Sequence, residues 1–132
     1  MEGVEELLDD HKELLRKVAD IQRCASQRGK GLEDAAGVFF EDYYSHSVRE
    51  ERGLYRALWD RSRELRPLLE SLLDEHKRVV ELSFQLKKAF EHVQDDPVRL
   101  EMVARNLANH TASHFAREER NLFPEAQRLL SP

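Results

Sequence analysis

The sequence predicts an all-α fold, an up-down-up-down antiparallel four-helix bundle formed as one domain over residues 1–132, and three features carry that expectation. Apolar residues recur at helical spacing in four segments, and only short polar or proline-marked connections separate them. Hydrophobic residues make up 40% and charged residues 36%, with 5 Gly and 4 Pro, a balance suited to amphipathic helices and not to strands. The chain also repeats itself. HSVREERGLYRA (His46 to Ala57) laid on HFAREERNLFPE (His114 to Glu125) matches at six of twelve positions, and LLDDHKELL (Leu7 to Leu15) lies upstream of the first as LLDEHKRVV (Leu72 to Val80) lies upstream of the second. The unit is a helix with one histidine followed by a helix with His-x-x-x-Glu, present twice.

The first helix is set by Val4, Leu7, Leu8, His11, Leu14, Leu15, Val18, Ile21 and Ala25, which share one stripe. SQRGKG (Ser26 to Gly31) supplies turn residues, and Glu33 and Asp34 suit the first turn of a second helix starting near Leu32. Its inward face is expected to carry Ala35 or Ala36, Phe39, Asp42, Tyr43, His46, Glu50, Leu54 and Leu58, with a poorly marked connection near Asp60 to Leu65. Pro67 suits the first turn of a third helix, which is expected to turn Leu68, Leu69, Leu72, Leu73, His76, Val79, Val80, Phe84 and Leu86 toward the core and to fray beyond about Phe90. Asp95, Asp96 and Pro97 give the clearest start signal, an acidic N-cap followed by proline. The fourth helix uses Leu100, Val103, Leu107, His110, His114, Glu118 and Leu122, and Pro124 is expected to kink or end it near Asn121.

Charge and cysteine usage exclude several classes. A net charge of -5 argues against a nucleic-acid surface, which needs concentrated excess Lys and Arg. The arginines crowded between Arg49 and Arg66 alternate with Glu50, Glu51, Asp60 and Glu64 and read as a solvated face with local ion pairs. The single Cys24 excludes an intrachain disulfide and a thiolate metal cage, and reads as a small helix-packing residue. No apolar run is long enough to span a bilayer and no leader follows Met1, so a soluble protein of a reducing compartment, the cytoplasm, is expected.

In a bundle, the four histidine-bearing stripes face one axis. Burying a polar group without a partner costs a few kcal/mol, about 2–7, and an unpaired ion more. Four histidines (His11, His46, His76, His114) and two glutamates (Glu50, Glu118) pointed inward cannot all be satisfied by apolar neighbours, whereas a cation satisfies them together. Imidazole nitrogen and carboxylate oxygen suit iron, zinc or manganese, and carboxylates can bridge two ions. A single such histidine is ordinarily a hydrogen-bonded core residue, and a single His-x-x-x-Glu a surface pair. It is the recurrence of both, in the same order and register, that points to metal. Glu51 and Glu119 turn about 100° from the face of the preceding glutamate and read as surface carboxylates or as partners of the ligands. Tyr43, Tyr44, Phe39 and Phe115 read as core, and His92 as exposed.

DDH ending at His11, HSVREE from His46, DEH ending at His76 and HFAREERNLFP from His114 together resemble the hemerythrin-like HHE cation-binding family, over essentially the whole chain. The resemblance implies a hemerythrin-like antiparallel bundle around a carboxylate-bridged, non-haem pair of iron ions. It implies His11 and His46 on one ion, His76 and His114 on the other, and Glu50 and Glu118 bridging. The chain departs from the hemerythrin pattern at the fifth histidine: Val80 stands one turn after His76, and the additional imidazole is His110, whose repeat counterpart is Asp42. As a seventh ligand, His110 would complete the second ion and leave the open position on the first; otherwise it is a hydrogen-bond donor to a ligand or a packing residue.

Neighbouring metal classes are excluded by spacing. No histidine has an acidic residue three positions before it, as ferritin-like Glu-x-x-His sites require, and Thr111 follows His110 where a zincin needs Glu. The expected cofactor is thus two iron ions, with manganese or zinc compatible with the same donors. The leading functional expectation is a protein that binds dioxygen, or a related small molecule such as nitric oxide or peroxide, without nucleic-acid or membrane partners. The alternatives are an enzyme that disposes of peroxide or oxidises iron, and an iron or oxygen sensor.

Overall fold

The computed structural model describes residues 3–130 as helices joined by short turns: α1 (Val4–Ser26), α2 (Leu32–Glu50), α3 (Arg56–Arg61), α4 (Arg66–Glu91), α5 (Pro97–Arg117) and α6 (Phe123–Leu130). Two of the joints are π-helical turns, Glu51–Tyr55 between α2 and α3 and Glu118–Leu122 between α5 and α6, so the chain builds four rods: α1, α2 with α3, α4, and α5 with α6. This is the expected four-helix bundle. Among the described residues, no helix is long and apolar enough to cross a membrane.

Local chemistry sets the rod ends. After α1 the backbone takes positive φ at Arg28, Gly29 and Gly31. At Gly29 a Cβ would lie 2.7 Å from the Phe90 ring, so glycine is required there by close packing as well as by its φ of 82°. Pro67 sits in the first turn of α4. Asp96 caps α5 by accepting a hydrogen bond from the Arg99 amide at 3.2 Å, with Pro97 first in the helix.

The structure corrects four expectations, the first at Tyr44, which was expected in the core but is 70% exposed because it stands about 100° round the helix from the buried Tyr43. On α4, Val80 is 55% and Phe84 66% exposed, while the buried stripe runs Leu69, Leu72, His76, Val79, Leu82, Leu86 and Ala89. Steps of four residues advance the helix by about 40° beyond a full turn, so 76, 80 and 84 walk off the face that 79, 82 and 86 keep. Asp42 is only partly buried and pairs with Lys17 of α1. Pro124 does not end the fourth rod: it falls in the first turn of α6, directly after the π turn, where the missing N–H and the ring are accommodated.

The buried side chains form two apolar clusters. One includes Leu14, Val18, Phe39, Tyr43, Val79, Leu82, Leu107 and Phe115, the other Leu7, Leu54, Tyr55, Leu58, Leu69, Leu72, Leu122 and Phe123. Along every rod a histidine or glutamate lies between members of the two clusters, so the buried polar groups form one layer across the bundle, closed above and below. This register predicts that Leu82→Ala lowers unfolding free energy by about 2–5 kcal/mol, while Phe84→Ala changes it by no more than about 0.5 kcal/mol. Denaturant unfolding of the two variants checks it, and equal losses would show that α4 is rotated from the face described.

Candidate metal centre

The polar layer consists of His11, His46, Glu50, His76, Thr111, His114 and Glu118, each at most 6% exposed, beside Ser47. Six of these converge in two groups that share both glutamates: His11, His46, Glu50 and Glu118, and Glu50, His76, His114 and Glu118. Within each group the candidate ligand atoms all lie within 4.8 Å of one another, a spacing at which the group can hold a metal ion. The imidazole Nε2 atoms face the carboxylates at 3.2 Å (His11 to Glu118, His46 to Glu50, His76 to Glu50) and 3.3 Å (His114 to Glu118).

The outer nitrogen of each ring is held by another carboxylate. Nδ1 of His11 meets Glu119 at 2.8 Å and Nδ1 of His76 meets Glu51 at 2.6 Å. Nδ1 of His46 meets Asp10 at 2.9 Å and Nδ1 of His114 meets Glu75 at 2.7 Å. An ionised carboxylate only accepts hydrogen bonds, so each Nδ1 carries a proton and each Nε2 faces inward, where a metal ion can take the place of a second proton. Arginines in matching repeat positions complete two of these pairs, Arg49 on Asp10 at 3.2 Å and Arg117 on Glu75 at 2.8 Å. The repeat therefore encodes the outer layer as well as the inner one: the acid before each upstream histidine serves the downstream histidine of its own half, and the second Glu of each His-x-x-x-Glu-Glu serves the upstream histidine of the other half.

That arrangement leaves a set of buried atoms with no hydrogen-bond partner: Nε2 of all four histidines, both oxygens of Glu50 and Oε1 of Glu118. Imidazole nitrogens facing carboxylate oxygens in a dry layer need a cation between them, either protons or a metal ion, and this donor set fits a transition metal. The remaining Glu118 oxygen, Oε2, accepts a 2.5 Å hydrogen bond from the Tyr55 hydroxyl.

His110, the seventh candidate, is not brought to the centre. It is half-buried, and its Nε2 lies 2.9 Å from the backbone carbonyl of Glu75, to which it donates. On α5 the inward position of that turn belongs to Thr111, fully buried, its hydroxyl donating to the Leu107 carbonyl at 2.8 Å. Glu51 and Glu119 lie partly open to solvent at the margin of the site, as their angular offset implies. Asp10, Glu75 and Tyr55 had no role assigned from the sequence. The two acids carried a signal, since an acidic residue stands immediately before the histidine in both DDH and DEH. Tyr55 carried none, because at α-helical pitch the fifth residue after Glu50 turns away from it; the π turn brings it back, as the other π turn does for Phe123. The two occupy matching positions, Tyr55 stacked on His76 with ring centroids 5.6 Å apart and Phe123 on His11 at 5.4 Å.

The electrostatics follow from this crowding. Burial opposes charging of His114, but the carboxylates of Glu118 and Glu75 at its two nitrogens hold it up at about 9. His46 and His76 are likewise raised against the cost of burial, by Glu50 with Asp10 and by Glu50 with Glu51. Burial pushes Glu118 up, yet His11 and His114 beside it hold its carboxyl well below the usual range. Burial and then the charges of Glu118 and Glu50 push the Tyr55 phenol up, keeping it a donor.

A four-helix bundle with a buried layer of four histidines and two shared glutamates defines a class of cation-binding protein. The family model described as hemerythrin HHE cation binding domain matches residues 2–127, and the chain belongs to that family. No curated protein and no solved structure matches the chain.

The pKa directions yield a pH prediction for protein stripped of metal. His114 rises from 6.5 to about 9 on folding, so the stability it contributes is complete below pH 6.5 and is lost as pH climbs through about 9. Glu118 falls on folding, so its contribution is present above pH 4.5 and is lost on acidification. Stripped protein should melt highest between those limits and progressively lower toward pH 9, a trend that bound metal should suppress by taking the place of the protons. Thermal unfolding across this range checks it; a stripped protein more stable at pH 9 than at pH 6 would contradict the assignment.

Proposed function

We propose that the chain holds two iron ions and binds dioxygen, or a related small molecule such as nitric oxide or peroxide, at the centre they form. The observation that carries this reading is the set of seven unpartnered lone-pair atoms on His11, His46, His76, His114, Glu50 and Glu118. In this reading His11 and His46 hold one ion, His76 and His114 the other, and Glu50 and Glu118 lie between them, the distribution that the two geometric groups support. Four imidazoles and two carboxylates exceed what one tetrahedral ion uses. Iron so held would supply a redox-active Lewis acid to a small ligand.

The chain's own residues define what surrounds that ligand. Asp10, Glu51, Glu75 and Glu119 fix the tautomer and orientation of the four imidazoles and raise their basicity. Tyr55 hydrogen-bonds Glu118 and offsets part of its charge. The apolar clusters on both sides exclude bulk water, which keeps the electrostatic coupling within the layer strong. We place the protein in the cytoplasm, a reading with which its single free cysteine, Cys24, is compatible.

Metal analysis combined with visible spectra of the reduced protein before and after exposure to air tests the proposal. The expected result is about two iron ions per chain, from the donor count, and an oxygen-dependent absorption band that reverses when oxygen is removed. Irreversible oxidation accompanied by peroxide consumption would assign an enzyme instead. A stoichiometry of one, with zinc saturating the site, would overturn the paired-iron reading.

A further inference from the structure

The duplication gives the bundle two equivalent seams, α1 against α5 and α4 against α2, and they are built differently. Among the described residues, the backbones of α1 and α5 approach closely along their length, whereas those of α2 and α4 do not. Between α2 and α4 lies a groove of about 610 Å³ that reaches from the exposed Tyr44 and Val80 to His76.

The residues behind this difference occupy matching positions of the repeat, Tyr43 and Ser47 on α2 against Thr111 and Phe115 on α5. In the closed seam, Phe115 stacks face to face on His11 with centroids 3.9 Å apart, and the Thr111 hydroxyl is satisfied by the Leu107 carbonyl. In the open seam, the small Ser47 stands where Phe115 would, and Tyr43 sits edge-on to His76 at 6.1 Å. Both residues line the groove, both are more than nine-tenths buried, and the two hydroxyls have no partner but each other. When one hydroxyl of this pair donates to the other, one donor is left over at the inner end of a passage whose charged lining groups are Glu51 and Lys77, and it calls for an acceptor that arrives through the passage.

Resting on the proposed function, we propose that the α2/α4 groove is the route by which a small neutral or anionic ligand reaches the centre. At the groove's inner end, beside His76, the Tyr43 and Ser47 pair would donate a hydrogen bond to such a ligand, and His76 with His114 would hold the ion that it approaches. The walls, Phe40, Val79 and Val80 among them, suit a weakly hydrated molecule, and the two hydroxyls favour one with an acceptor atom. With His110 turned to the Glu75 carbonyl, the reason to expect the open position on the His11 and His46 side lapses.

Two measurements test this separately from the metal assignment. In protein stripped of metal, dissolved dioxygen under pressure serves as a paramagnetic probe: NMR relaxation of the buried Tyr43, Ser47 and Val79 side chains should be enhanced above that of Thr111 and Phe115. In iron-loaded, oxidised protein, azide is the probe. Val80→Trp, a surface change at the mouth, should slow azide association severalfold with iron content unchanged, while Met102→Trp, equally exposed on α5, should not. Tyr43→Phe should weaken azide affinity by about five- to tenfold, the effect of one lost hydrogen bond, and Ser47→Phe should close the passage as Phe115 closes the other. Equal relaxation in the two seams, or wild-type azide kinetics in Val80→Trp and Tyr43→Phe with iron retained, would overturn the route alone. Wild-type protein that retains no iron would overturn the proposed function and, with it, the destination of the route.

Discussion

The structure depends on an electrostatic conflict at its centre: the inner nitrogens of four imidazoles and the oxygens of two carboxylates are pressed together with only the Tyr55 hydroxyl, on Glu118, donating to them from outside the group. Charges of this kind are costly in an apolar interior and become favourable only around a cation. The helices, whose stripes are otherwise apolar, bring the six side chains within reach of one another and keep water away. Carboxylates on the outer nitrogens hold the Nδ1 protons, so that each ring turns Nε2 inward toward a cation. Remove those outer acids and the rings are free to flip or change tautomer; remove the apolar clusters and the layer is solvated and the conflict dissolves.

The duplicated sequence is an efficient way to generate such a site, because a ligand placed correctly once is placed correctly twice. It also explains the cross-wiring, in which Glu51 serves His76 and Glu119 serves His11, so that each half of the chain steadies a ligand of the other. The π turns belong to the same logic. By widening the helix just after Glu50 and Glu118 they add Tyr55 and Phe123 to the inward face, where each covers a histidine ring.

Much of this is legible in the sequence. Helical spacing of apolar residues, the proline and acidic start signals at Asp96 and Pro97, and the repeated His-x-x-x-Glu suffice for the bundle and for the six converging side chains. What escaped depends on phase errors that build up over several turns. Val80 and Phe84 look inward when steps of four are counted from His76, but α4 follows its 3.6-residue period and carries them out to solvent. His110 shares a turn with His114 in the same way and is displaced by Thr111. Tyr55 was invisible because no α-helical register predicts a π turn. Asp10 and Glu75 point away from the axis on their own helices and act only across helices, a relation that single-helix periodicity does not contain.

The most direct test of the account is anomalous X-ray diffraction from crystals of the iron-loaded protein. The account predicts two peaks inside the bundle, one against Nε2 of His11 and His46, the other against Nε2 of His76 and His114, with Glu50 and Glu118 reaching both and His110 still on the Glu75 carbonyl. A single peak, a peak at the protein surface, or coordination by Nδ1 with the outer carboxylates displaced would contradict it.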